Sequence, residues 1–310
     1  MTGTTVHGST PSKPSWIPFT ERLRNEIIAL SKLGDELLDA SRIDYVGARN
    51  RDGGLVFSAP DWEWAEPTDD LRRIQMRLVP RFDRCFERLS LLFSDAPSEL
   101  KDAINEVREQ IRDWLARDGK HRTWDLPHDI ESARTLLRER FSKLAGFLDV
   151  LPAAESPLLA VPDTSALIAV PQFERYSEIF GVDKFEIAIV SGVLSELDGL
   201  KDQGRNQEVR ERARIAVRAI KDLRQRGSLL DGVQVVDGVT VFIRPVEPVF
   251  DRLPGRLDPS VPDDRILAAV FELQRERPRG AVVLVTGDVN LQTKAELAGI
   301  PFIEPPELAP

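Results

Sequence analysis

The sequence predicts an all-helical N-terminal half followed by an α/β half built on a central parallel sheet. Three observations predict it. Residues 16–150 carry apolar side chains at helical spacing. After the connection Leu151–Pro157, short β-branched runs alternate with helical stretches, as in parallel strands joined by helices. The run Ala281–Thr286, AVVLVT, is almost wholly apolar, as a strand covered on both faces must be.

In the first half, Glu21–Leu38 repeats Ile27, Ile28, Leu30, Leu33, Leu37 and Leu38. Leu71–Phe93 repeats Leu78, Phe82, Phe86, Leu89 and Phe93. A third helix is expected after Ser98, a residue suited to N-capping, with Ile104, Val107, Ile111 and Leu115 inward. The fourth covers Asp129–Leu148. Arg51–Asp70, with Gly53, Gly54, Pro60 and Pro67, is expected to be a long connection holding Trp62 and Trp64. The expected domain is an antiparallel bundle or arm at 16–150, after a polar tail at 1–15. Its helices suit control of access, dimerisation or a protein partner.

The second half, 158–305, reads as strands at Leu158–Val161, Glu186–Val190, Val233–Val236, Val239–Ile243, Ala281–Thr286 and Pro301–Ile303. Helices are expected at Gln172–Phe180, Gly192–Lys201, Asn206–Arg226, Asp263–Arg275 and Leu291–Ala298.

Composition narrows the chemistry. The chain has 310 residues, of which 42% are hydrophobic and 30% charged, as in a soluble globular protein. A single cysteine, Cys85, excludes a disulfide framework and a cysteine zinc site. His7, His121 and His128 all lie in the first half, which argues against a histidine-ligated metal or a Ser-His-Asp triad in the second. There is no secretory h-region and no run of about 18 apolar residues, so a cytoplasmic location is expected. A net charge of −9 repels nucleic acid overall and confines any such contact to a local basic patch.

In a parallel sheet, ligands gather beyond the carboxyl ends of the strands. Asp163 follows the first strand, Glu196 lies early in the helix after the second, and Asp288 follows AVVLVT. Asp263 and Asp264 open a helix. Each has an alternative reading. Asp163, Asp263 and Asp264 suit helix caps, Asp288 suits a turn, and Glu196 suits a solvated helix face. Their common rim is what favours chemistry. Clustered carboxylates repel unless a cation lies among them, and oxygen ligands without histidine or cysteine suit Mg²⁺ or Mn²⁺.

Four segments in order, DTSALI (163–168), SELDGLK (195–201), DDRILAAV (263–270) and VTGDVNLQTKAELAGI (285–300), resemble the PIN-domain ribonucleases. The SELDGLK and VTGDVNLQTKAE segments are more similar to the PIN domains of PhoH-type ATPases or eukaryotic decay nucleases than to single-domain toxins. The resemblance implies a three-layer α/β/α sandwich over 158–305. It implies a Mg²⁺- or Mn²⁺-dependent endoribonuclease acting on single-stranded RNA, with Asp163, Glu196, Asp263 and Asp288 as catalytic and metal-holding acids. Asp263 is favoured as the third acid because an isoleucine, Ile266, stands three positions later, and its neighbour Asp264 is a further candidate metal ligand able to share that role. Thr164 or Ser165 would orient the first acid, Thr286 the last, and Asn290 would support the site.

Between Lys201 and Arg226 nine basic residues face four acids. Lys201, Arg205, Arg210 and Arg214 are candidates to track RNA phosphates. The alternative is a solvated helix with pairs such as Glu208–Arg212. Trp62 and Trp64 can stack on bases, but the acids of DWEWAEPTDD favour packing. Two further functions stand beside the nuclease: an inactive PIN module that binds RNA or protein, and a toxin of a toxin–antitoxin pair. A haloacid-dehalogenase-like phosphatase would need a second aspartate where Ser165 stands.

Overall fold

A computed structural model of the chain describes residues 16–45, 62–117, 126–152, 156–204 and 206–306. The proposed tail at 1–15, His7, His121 and Arg205 lie outside them. The described residues form two compact units.

The helical unit comprises Phe19–Ala154 together with Val249–Leu257. Its elements are α1 (Phe19–Asp39), β1 (Ile43–Tyr45), β2 (Trp62–Trp64), α2 (Asp69–Leu92), α3 (Ser98–Ala116) and α4 (Ile130–Gly146). Leu23, Ile27, Leu30 and Leu37 bury the inner stripe of α1, and Leu78, Phe82 and Leu89 that of α2. The edges of Phe82 and Phe141 meet between α2 and α4, ring centres 6.0 Å apart. Thr68 caps α2 by accepting from the N–H of Leu71 at 3.2 Å, and Asp129 caps α4. Ser98 makes no cap. It is the first residue of α3 and follows Pro97, whose fixed φ already suits that position.

The expected connection between the first two helices contains β2, which pairs antiparallel with β1. Trp64 packs edge-on against Trp114, and Trp62 against Tyr45. Both tryptophans therefore pack within this unit. Cys85 is buried here, and burial pushes its thiol up to about 12, so it stays an inert core residue. The segment Val249–Leu257 is tied in by Arg252 to Asp95 at 3.2 Å. The N–H of Gly255 also donates to Glu87 at 3.3 Å.

The α/β unit has the order β3 (Leu158–Pro162), α5 (Thr164–Ala169), α6 (Ser177–Phe180), β4 (Phe185–Val190), α7 (Ser191–Gln203), α8 (Gln207–Arg226), β5 (Val233–Val236), β6 (Val239–Arg244), α9 (Pro262–Glu276), β7 (Val282–Val285), α10 (Val289–Ala298) and β8 (Phe302–Ile303). One six-stranded sheet has the order β5-β6-β4-β3-β7-β8. All pairs are parallel except β5 with β6, so the sheet is mixed at that edge. The expected helix at Gln172–Phe180 is split into a 3₁₀ turn, Phe173–Tyr176, and the single turn α6. Every residue of β3 and β7 is buried, as strands covered on both faces require. No described helix is long and apolar enough to cross a membrane.

The strand order positions the site. From β3 the chain passes through α5 and α6 to β4 on one side, and from β7 through α10 to β8 on the other. The order therefore reverses between the adjacent strands β3 and β7. At such a reversal the two connections diverge and leave a crevice beyond the carboxyl ends of the strands.

Candidate active site

Asp163 and Asp288 stand at that crevice. The backbone ladder runs to the rim, with Pro162 opposite Val285 and the N–H of Asp163 donating to Val285 at 3.0 Å. Asp163 is 3% exposed. It caps α5 by accepting from the N–H of Ala166 at 2.7 Å, and takes further bonds from the hydroxyls of Ser165 at 2.9 Å and Thr286 at 2.6 Å. Burial pushes the carboxyl of Asp163 above its ordinary range. The bonds from Thr286, Ala166 and Ser165 oppose that shift, and the charge of Asp288 adds to it. Asp288 is exposed and caps α10 through Oδ1, which accepts from Asn290 and Leu291.

Thr286 is fully buried and joins the two acids. Its hydroxyl donates to Asp163 and accepts from the N–H of Asp288 at 3.0 Å. Ser165 makes a similar tie, accepting from the N–H of Gly287 at 3.2 Å. Thr286→Val keeps the shape and deletes the bridge. It is expected to cost about 1–3 kcal/mol, because the buried Asp163 carboxylate and the part-buried N–H of Asp288 each lose a partner. Activity should fall about 10- to 100-fold through misplaced acids. Urea denaturation and RNA cleavage measure the two effects, and Thr286→Ser should restore most of both.

Glu196 lies on α7, half-buried, and accepts a short hydrogen bond from the hydroxyl of Thr164. Thr164 therefore serves the second acid and Ser165 the first. Asp263 and Asp264 occupy the first turn of α9, but neither caps it, for the cap position is Val261 and has no side-chain bond. Ser260 likewise bonds to Asp258. Asp263 Oδ2 accepts from Asn290 Nδ2 at 2.8 Å. Asp264 is 9% exposed, with Oδ2 taking the N–H of Asp258 at 2.9 Å. Asn290 thus links the α9 acids to the Asp288 turn.

Two residues near the acids were not singled out in the sequence. Lys294 Nζ lies 2.9 Å from Asp264 Oδ1 and 3.3 Å from Asp263 Oδ2, and those bonds raise its pKa. Its position one turn after Asn290 was the available signal. Tyr176 is buried, and its hydroxyl has no hydrogen-bond partner among the described residues. Burial and the charge of Asp163 both push that phenol's pKa up, so it stays neutral.

The donor set is carboxylate oxygen throughout, which fits Mg²⁺ or Mn²⁺ in kind. Among the described residues, Asp163 and Asp288 act on one another, and Asp263 Oδ1 and Asp288 Oδ2 accept no hydrogen bond. No group of three or more acids, histidines or cysteines among the described residues is close enough to hold one ion.

The candidate RNA-tracking residues are engaged locally. Lys201 pairs with Asp198 at 2.8 Å, Arg214 with Glu211 at 3.7 Å, and Arg210 donates to the carbonyl of Gly204 at 2.8 Å. Glu208 and Arg212 pair at 2.9 Å. Farther along α8, Arg218 and Arg224 are exposed and form no ion pair among the described residues.

The family model described as "PIN domain" matches residues 160–304. Residues 160–304 are a PIN domain. PIN domains are typically nucleases. The chain is also similar to "Protein PhoH2" of Bacillus subtilis (strain 168), 32% identical over 147 residues. That alignment takes in 45% of this chain and 31% of PhoH2, so the chain spans about a third of that relative's length.

Proposed function

We propose that this PIN domain is a Mg²⁺- or Mn²⁺-dependent endoribonuclease that cleaves single-stranded RNA. The observation that carries the reading is the pairing of Asp163 and Asp288 across β3 and β7 through one buried threonine, at the point where the strand order reverses. Asp163 and Asp288 would hold the cation, with Glu196 and Asp263 completing the acidic rim. A bound divalent ion supplies a water nucleophile at neutral pH and neutralises phosphoryl charge. Ser165, Thr286 and the N–H of Ala166 hold the Asp163 carboxylate in one orientation, leaving little to reorganise when substrate arrives. Asn290 fixes Asp263 facing the Asp288 turn. The exposed arginines of α8 offer the phosphate contacts that a chain of net charge −9 otherwise lacks.

The two adjacent acids of α9 separate catalysis from structure. Both oxygens of Asp264 are bonded within the fold, whereas Asp263 keeps Oδ1. Asp263→Asn should lower Mn²⁺-dependent cleavage of a labelled single-stranded RNA about 10- to 100-fold, with stability nearly unchanged. Asp264→Asn should instead lower the unfolding midpoint, because it breaks a half-buried pair and weakens the bond to the Asp258 N–H. Cleavage that persists in EDTA, or that is equal in wild type and Asp263→Asn, refutes the mechanism. An inactive binding module is the second reading, favoured by the ammonium of Lys294 lying among the α9 acids. It predicts RNA retention without cleavage at millimolar Mn²⁺.

A further inference from the structure

Helix α2 concentrates positive charge in a chain whose net charge is −9. Between Arg72 and Arg88 it carries six arginines against two acids, Asp83 and Glu87, so it cannot neutralise itself. Both acids are already taken. Asp83 accepts from Arg112 of α3 at 3.1 Å, and Glu87 accepts from the N–H of Gly255 at 3.3 Å. Three of the arginines reach carboxylates elsewhere. Arg72 pairs with Asp69 at 3.2 Å, Arg73 with Asp70 at 3.0 Å and Arg88 with Glu26 at 2.6 Å. Arg77, Arg81 and Arg84 are exposed, and none of them forms an ion pair among the described residues. Their spacing, four residues and then three, sets them on one stripe of the helix, apart from its buried row Leu78, Phe82 and Leu89. Like charges at this spacing repel, and no carboxylate of the described residues offsets that cost.

We propose that Arg77, Arg81 and Arg84 form a phosphate-binding stripe through which the helical unit holds single-stranded RNA. The choice of RNA rests on the nuclease reading above, while the stripe itself does not. An α-helix rises 1.5 Å per residue, so the three charges span about 10 Å. That suits a polyanion with a charge every few ångströms along one strand. The residue type points the same way. Every basic residue of α2 is arginine, whose planar fork meets a phosphate with two hydrogen bonds, where lysine offers only a point charge. The acidity of the rest of the chain does not cancel the stripe, because exposed charges more than about 8 Å apart are largely screened at physiological salt. The PIN domain leaves room for a second RNA surface, since Lys201, Arg210 and Arg214 are engaged within it. A bilayer fits the stripe less well. The apolar face of α2 is spent on the bundle core, and Met76 is the one large apolar side chain that the helix exposes.

The test measures binding without cleavage. The full chain, in EDTA, is titrated against a fluorescein-labelled single-stranded RNA and followed by fluorescence anisotropy across about 50–200 mM salt. Wild type should bind with an affinity that falls as salt rises. A triple variant, Arg77→Gln with Arg81→Gln and Arg84→Gln, should bind about 10- to 100-fold more weakly at the low-salt end. Its slope of log affinity against log salt should be shallower by about 2, at about 0.7 per phosphate contact on a single strand. Lysine at the same three positions keeps the charge and should keep most of the slope. Circular dichroism melts check the fold. If the triple variant melts below wild type, Arg77→Gln and Arg84→Gln replace it singly, each expected to lower the slope by about 0.7. Equal affinity and slope in wild type and the glutamine variants overturn the proposal, as does a wild type that binds no RNA. Binding to polyglutamate or to phosphatidylserine vesicles that needs these arginines, where RNA binding does not, assigns the stripe to another partner and overturns it equally. Cleavage of the same RNA by wild type with Mn²⁺ judges the nuclease reading separately. RNA that is held through the stripe but left uncut refutes that reading and not this one.

Discussion

Asp163→Asn is expected to lower RNA cleavage by about 10²- to 10³-fold or more while leaving the PIN domain at least as stable as wild type. The loss corresponds to the several kcal/mol of charge stabilisation that a held cation gives a phosphoryl transition state. The gain in stability has a different source. Asp163 is 3% exposed, and burial raises its pKa despite its hydrogen bonds. A carboxyl whose folded pKa lies above its unfolded one keeps its proton longer in the native state. Its contribution is therefore favourable at low pH and is lost as pH rises from ~3.9 through the raised value. In EDTA, the difference in melting temperature between wild type and Asp163→Asn should widen across that window, in favour of the variant. Added Mn²⁺ should reverse it by stabilising wild type alone. Thermal melts at several pH values, with and without Mn²⁺, measure both. A variant that melts lower than wild type in EDTA at neutral pH would show that Asp163 serves the fold more than the site.

The second large effect belongs to the helical unit. Trp114 is 1% exposed on α3. The edge of Trp64 meets it at 5.6 Å between ring centres, and the guanidinium of Arg140 lies 4.2 Å from its ring. Trp114→Ala removes a large aromatic surface and both ring contacts at once. It is expected to cost about 3–5 kcal/mol. Trp114→Phe should recover the larger part. Urea midpoints followed by far-ultraviolet circular dichroism, at constant m-value, measure the change. A loss below about 1 kcal/mol for Trp114→Ala would mean that this aromatic junction is not part of the stabilising core.

Those parts of the candidate site whose signal is local were legible in the sequence. Asp163 and Asp288 stand where an apolar strand ends, and strand ends can be read from composition alone. The pair Glu208–Arg212 was legible for the same reason, since both partners lie one turn apart. What was hidden depends on packing between distant elements. Nothing near Lys294 in the chain says that the first turn of α9 lies opposite α10. The division of labour between Thr164 and Ser165 depends on where α7 brings Glu196. The preference for Asp263 over Asp264 came from Ile266, whereas the bonds of Asp264 to Lys294 and to the N–H of Asp258 are shown by no residue pattern. Ser98 was expected to cap α3 because its type suits the role, yet the preceding proline set the start of the helix. β1 and β2 are three residues each, too short for an alternating pattern to emerge.

The assignment of Val249–Leu257 to the helical unit has a practical consequence for anyone dissecting this molecule. No single cut yields both halves intact. A fragment stopping at residue 154 would lack the partners of Asp95 and Glu87, and a fragment starting at residue 155 would carry a nine-residue excursion with nothing to dock on. Studying the PIN domain alone therefore calls for excising that excursion and rejoining the strand–helix crossover with a short synthetic bridge.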